Sequence, residues 1–449
     1  MNIMLFVNNV SKKLPSKALG NTGWLVGEKI LVMGLSLLVN IAIARVFGPA
    51  LFGEFSYLLS LFALLGPIGT MGINAIVSRE IINNPDKSQE IIGSAVFIRL
   101  LGVLAILIIS LLVWAEGSLL ESVSFPHGLL FLAIAGLFTS FQVVEFWFQA
   151  KVASKYIVRW RIPVAVVFAM TKLYFLWLGA NLQWLVLVYA LELSVMGLVV
   201  LLVYSRSVTW IKYLHVNITY ALSLLRQSFW LIFSGFASII YLKIDQVMLG
   251  KMATNADVGV YAVASRLSEV WYFFPEAVMA SFFASLLVHR KNNQQEYYRK
   301  IQSLCDALFA SSLLLAMFVS LFSSLIVGVL YGDGYGESSV ILSIHIWAGC
   351  FVFMRALLSK WLIAENLLKF SLVSHGLGAL VNVVLNYWMI QQWQGVGAAL
   401  ATVISYAVAS YFALFIYGPT RKMAYIMTTS ILLPIRLIVM APNYLLKKV

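Results

Sequence analysis

Charge is what this sequence lacks most. Only 11% of its 449 residues are Asp, Glu, Lys or Arg, against about 25% in soluble domains, which excludes a soluble globular body. Cysteine is nearly absent. Cys305 and Cys350 are the two present, both in apolar runs, and neither their spacing nor their setting gives a disulfide framework or a metal site. No GxxxxGK[ST] stretch occurs, so a built-in P-loop ATPase is excluded, and no HExxH zinc spacing is found. Long polar connectors are missing too. The longest on the outward side, "AEGSLLESVSFPHG", leaves no room for the catalytic loop or domain of a glycan-building enzyme.

What the chain has in quantity is apolar residues, 61% of the total, with a mean hydropathy of +0.92. A membrane helix needs about 20 in a row. Such runs predict twelve spans: 24–47, 54–77, 92–114, 129–149, 162–179, 184–204, 229–250, 259–287, 303–330, 339–358, 370–390 and 395–417. The fold expected is an all-α polytopic membrane protein. Its connectors alternate in character: those after an even number of spans, with both ends, hold 25 of the 31 basic residues. The opposite connectors hold only Lys251. Basic residues collect on the cytoplasmic side, which predicts that both termini are cytoplasmic. The net charge of +13 is then a topology signal spread over many connectors, unlike the clustered patch of a nucleic-acid binder.

The basic N-terminus and the "AIA" at Ala42 to Ala44 imitate a signal peptide, but the apolar run exceeds the roughly 7–15 residues of an h-region. An uncleaved first helix is expected. The tail from Ala424 is apolar enough to cross, yet Pro434 and Arg436 interrupt it, and an interfacial helix on the cytoplasmic face is expected there. Twelve spans divide into a cytoplasmic segment 1–23, a six-helix half 24–204, a linker 205–228, a second half 229–417 and a tail 418–449. A faint repeat accompanies this division. Phe52-Gly53, Phe55 and Pro67 of the second span match Val258-Gly259, Tyr261 and Pro275 of the eighth, as in transporters built from two related halves.

A charge near the bilayer centre costs about 2.5 kcal/mol or more, so intramembrane charges belong in a bundle interior or a watery path. Lys243 and Asp245 sit two residues apart on the seventh span. At the helical rise per residue, Asp245 lies about 8 Å and Arg266 of the eighth span about 10 Å below the outer surface, depths at which they can pair. Lys243 points roughly 200° away from Asp245. Arg266, Glu269 and Glu276 share one stripe beside the distortion expected at Pro275. Lys172 and Glu192, about 10 and 12 Å deep, form a second candidate pair, structural or substrate-facing. Arg45 lines a lumen or snorkels near the outer end of the first span. Glu28 lies near a cytoplasmic end, as do Glu145 and Arg355, of which snorkelling is expected. His375, Gly378, Asn382 and Asn386 of the eleventh span are expected to be helix-packing glue.

Two stretches carry a family resemblance. "ARVFGPALFGEFSYLLSLFALLGPIGTMGINAIVSRE", with Ala44-Arg45, Gly48-Pro49, Phe52-Gly53 and Arg79-Glu80, resembles the opening of bacterial polysaccharide-transport flippases. These belong to the multidrug, oligosaccharidyl-lipid and polysaccharide exporter superfamily and include the O-antigen-unit (Wzx-type) flippases. "IDQVMLGKMATNADVGVYAVASRLSEVWYFFPEAV" is similar to their seventh and eighth helices in Asp245, Leu249-Gly250, Gly259, Tyr261, Arg266, Glu269 and Pro275.

The resemblance implies flipping of a polyprenyl-pyrophosphate-linked oligosaccharide by alternating access in a bacterial inner membrane. On that footing Lys243, Arg266, Lys172 and Arg45 are candidates for a cationic substrate path, and Asp245, Glu269, Glu276 and Glu192 for gating or ion coupling. No catalytic residue, metal or cofactor is expected. The expected partners are the lipid-linked glycan, membrane lipids, and a polysaccharide polymerase and chain-length regulator, with no nucleic acid. Two rivals stand beside it: a drug/cation antiporter of the same superfamily, and a membrane-bound polymerase or ligase.

Overall fold

A computed structural model describes residues 16–208, 215–436 and 438. The basic residues Lys12, Lys13, Lys212, Lys447 and Lys448 lie outside them. Every regular element among the described residues is helical. Eight helices are long and apolar enough to cross a membrane, nine if the bent pair Asp333–His345 and Ala348–Ala364 is one span.

Two of the eight are hairpins. Gly23–Leu64 has 42 residues and Leu368–Phe415 has 48, each about twice the ~20 that one crossing needs. The first breaks at Gly48, whose φ of 70° suits glycine alone, and Pro49 then opens the second span. The other breaks at Trp393 and Gln394. The remaining expected span, the eighth, is not one continuous helix: it is helical over Asn255–Glu269 and Phe273–Asn292, with a 3-10 turn at Val270–Tyr272. Pro275 has no N–H and its ring crowds the carbonyl of Trp271, so the break falls where the proline demands it. The structure thus accommodates all twelve spans.

The chain divides into two compact units, Met1–Gly259 and Val260–Val449. The boundary lies beyond the 205–228 linker because the seventh-span helix, Ile218–Met252, is fastened along the first unit. Asn217 donates to Glu90 at 2.6 Å and Tyr220 to Glu80 at 3.0 Å, while Arg79 bonds Gln227. Small residues let the helices of this unit touch. A Cβ on Gly197 would overlap the Phe138 carbonyl, and one on Gly102 that of Ile68.

In the second unit the eleventh and twelfth spans meet at Gly378, where a Cβ would come within 2.6 Å of that of Ala409. Asn382 donates to Ser405 and Asn386 to Asn382, both at 3.1 Å, so these asparagines pack helices together. The tail helix Arg421–Ile431 keeps a constant register with the ninth-span helix Gln294–Tyr331. Lys422 lies over the Tyr298 ring, Gln302 bonds the Ile426 carbonyl and Ser430 bonds Asp306. One turn on one helix answers one turn on the other, so the tail helix runs parallel to the start of a spanning helix instead of across it.

Candidate functional site

The fifth-span helix, Lys155–Trp177, and the sixth, Leu182–Ser207, are joined by a short turn in which Asn181 caps the second by accepting from the Trp184 N–H at 3.3 Å. This antiparallel hairpin brings Lys172 and Glu192 to one depth, where they form an ion pair. Lys172 is 8% exposed, and its ammonium lies 4.9 Å from the centroid of the Tyr189 ring. The carboxylate and the ring face together offset the loss of water around the ammonium. The pair expected from depth counting is present.

A second cluster was not foreseen. Arg161 pairs with Glu145 and lies 3.5 Å from Glu28, joining the first, fourth and fifth spans. Glu145 therefore does not snorkel. It is held by a guanidinium from a helix sixteen residues further on. Arg99, 6% exposed inside the helix Ser88–Glu116, lies within electrostatic range of the same carboxylate. Among the described residues its Nε and Nη1 meet no acceptor. Arg355 also departs from the expected snorkelling. It is 7% exposed and donates to Ser374 at 2.9 Å and to the Ala409 carbonyl at 2.7 Å. These acceptors come from other helices, and a single helix seen in sequence does not reveal them.

The remaining candidates lie on both sides of the unit boundary. On the seventh span Asp245 is 2% exposed and Lys243 half-buried, with Gln246 beside them accepting from Ser60 at 2.6 Å. Arg266 and Glu269 are half-buried on the eighth span, whereas Glu276, past the 3-10 turn, is exposed. Arg45 is exposed in the last turn before Gly48.

At the end of the second unit that carries basic connectors, Arg290 and Glu365 form a two-pronged pair, both contacts 3.1 Å. Tyr297 donates to the same carboxylate at 3.0 Å. The Glu365 carboxylate holds the Arg290 guanidinium above its usual range, and burial, then Glu365, pushes the Tyr297 hydroxyl up. With Asn293, Gln294 and Tyr298 these groups line a cavity of about 440 Å³.

Two proteins of Haloferax volcanii match: "Probable low-salt glycan biosynthesis flippase Agl15", 26% identical over 238 residues, covers 52% of this chain and 49% of its own. "Probable flippase AglR", 26% identical over 180 residues, covers 38% and 37%. The chain thus spans about half the length of the first of these relatives. In fold, it superposes on the lipid II flippase MurJ in an inward closed conformation with a TM-score of 0.69 at 15% identity, covering 93% of this chain and 92% of that one. An inward-facing multidrug resistance MATE transporter gives 0.66 at 15%, covering 91% and 96%. The family described as "Polysaccharide biosynthesis protein" matches residues 18–274, more than half of the sequence, and the chain belongs to that family.

Proposed function

We propose that this protein is a flippase that moves a polyprenyl-pyrophosphate-linked oligosaccharide, an O-antigen repeat unit or similar surface-glycan unit, from the cytoplasmic to the outer leaflet. The membrane is a bacterial inner membrane, both termini are cytoplasmic, and two six-helix halves, 24–204 and 229–417, alternate in access. The observation that carries the reading is that a chain of this family buries ionisable groups within its spanning helices, Lys172 and Asp245 above all. A purely structural bundle avoids such groups, whereas a path for a polar, anionic cargo needs them.

The cargo joins a pyrophosphate and a glycan, which hydrocarbon rejects, to a prenyl chain, which it accepts. Lys243, Arg266, Lys172 and Arg45 draw the headgroup inward, and the prenyl chain stays in lipid. Asp245, Glu269, Glu276 and Glu192 serve gating or ion coupling. A polymerase and a chain-length regulator receive the product.

Deletion of the gene should trap single lipid-linked repeat units on the cytoplasmic leaflet. Surface polysaccharide of normal amount would sink the flippase reading. At equal protein level, Lys243→Ala and Arg266→Ala should each lower export by about tenfold, the loss of one charge-assisted contact. Intact export in both would remove the cationic path. Dye efflux from cells would favour the drug/cation antiporter, and glycan transfer by the purified protein a polymerase or ligase.

A further inference from the structure

Lys251 is the one basic residue that the alternation of connectors leaves on the outer side. Its ammonium donates to the Ser118 carbonyl at 2.6 Å and lies 3.5 Å from Glu121. Four residues on, Asn255 donates to the Ser122 carbonyl at 2.5 Å. Both acceptors belong to the connector 117–124, which is itself tied to the second span. Glu54, 8% exposed, accepts from the Ser124 N–H at 2.8 Å and from its hydroxyl at 2.6 Å, and Tyr57 donates to the Leu119 carbonyl at 2.7 Å.

Beneath this polar layer the second span and the first turn of the eighth cross with no side chain between them. A Cβ on Gly53 would overlap the Asn255 carbonyl oxygen, and one on Gly259 that of Pro49. Asn255 lies four residues before Gly259, and Pro49 four before Gly53, so the contact is reciprocal, as at a two-fold axis. Gly53 and Gly259 are also the positions that the internal repeat equates. A Cβ on Gly250 would likewise overlap the Tyr57 ring.

We propose that this reciprocal glycine crossing is the outer gate, and that the connector 117–124 with Lys251 and Asn255 is its latch. The purpose assigned to it rests on the transport reading; its existence rests on the geometry. Backbones that meet without interlocking side chains exclude water yet separate without repacking a core. The closed form is then held mainly by the polar layer above. Lys251 is 46% and Glu121 73% exposed, so each latch bond competes with water and shifts the closed-to-open ratio by only about two- to tenfold. A gate held this way opens readily and reseals.

The test uses the full chain with Cys305 and Cys350 replaced by serine. Ser122→Cys and Asn255→Cys are introduced together and joined with a short, reducible bis-thiol reagent. Linking should be near complete and should stop export until the link is reduced. Failure to link would overturn the crossing, and export at the unlinked rate would overturn the gate.

A second measurement needs no cargo. Spin labels on the 117–124 connector and the turn after Met252 report the separation in reconstituted protein. Lys251→Ala should raise the long-distance population about two- to tenfold, and Gly53→Ala, whose Cβ has no space, should make it dominant. Unchanged distances in both would overturn the latch. Two distance populations in a protein that flips no lipid-linked glycan would overturn the proposed function and leave the gate standing.

Discussion

The two compact units keep polar groups inside their helices by different means. The first uses ion pairs between helices: Lys172 with Glu192, and Arg161 with Glu145 and Glu28. In the second, Arg355 is bonded by hydroxyls and a backbone carbonyl, and Asn382, Asn386 and Ser405 form a neutral ladder. The ion pairs Arg290–Glu365 and Arg436–Asp306 stand near the ends of its spans. The difference matters because a proton or a cargo phosphate competes directly with one partner of an ion pair, while an amide–hydroxyl ladder offers neither much to hold. On the proposed reading, the ion pairs of the first unit, together with Arg266, Glu269 and Glu276 of the second, are the groups whose pairing the cargo or a coupling ion can change, whereas the Arg355 contacts and the asparagine ladder are fixed packing.

The sharpest way to break this contrast is at Lys172. Lys172→Ala leaves the Glu192 carboxylate within the spans beside an aromatic ring, and removing one partner of a buried pair costs about 3–5 kcal/mol. Thermal unfolding in detergent should show the largest drop of any variant considered. Lys172→Ala with Glu192→Ala should recover most of it. A double variant as unstable as the single one would mean that the two charges are not coupled. Export by the double variant separates roles: normal transport makes the pair structural, lost transport puts it on the cargo path.

Arg161→Ala comes next. It strands two carboxylates, Glu28 and Glu145, whose side chains are 11% and 17% exposed. Water near the membrane edge softens the loss to about 2–3 kcal/mol, toward the lower bound for a broken buried pair. Arg161→Lys should recover less than half of it, because one ammonium cannot fork to two carboxylates on different helices. Full recovery by lysine would mean that the triad needs only a point charge.

These two clusters also show what the sequence could and could not reveal. Lys172 and Glu192 lie in one hairpin, where counting residues from the shared turn gives depth directly, so their pairing was legible. Span positions were legible for a similar reason, since the cost of placing a residue in lipid is local to that residue. The break before Pro275 follows from proline's own chemistry. Glu28, Glu145 and Arg161 come from three spans, and each alone looks like an ordinary polar residue at a helix end. Their meeting depends on how helices are arranged side by side, which hydropathy does not encode. Arg99 was hidden in the same way: counted with basic connectors, it is buried 6% exposed in a helix that packs it toward Glu145.

In the second unit the effects should be smaller. Asn382→Leu removes amide bonds to Ser405 and Asn386 while keeping an apolar side chain of similar size, and interhelical polar contacts in membranes average about 0.6 kcal/mol. Unfolding should shift by about 1 kcal/mol at most, with export unchanged. A loss as large as that of Lys172→Ala would erase the contrast between the units.

Arg436→Ala should do least. Arg436 is 35% exposed and 3.5 Å from Asp306, a long, screened contact worth about 0–1 kcal/mol. Asp306 keeps its bonds to Gln302 and Ser430 at 2.8 and 2.7 Å, so the tail helix should stay in register with the ninth span. Limited proteolysis reads this directly. Cleavage after the basic residues Arg421 and Lys422 should be unchanged in Arg436→Ala and increased when Ser430→Ala is added, because Ser430 links the tail helix to Asp306 and Gln302 together. Equal cleavage in both variants would place the tail's attachment in its apolar face, where Met423 and Met427 are fully buried.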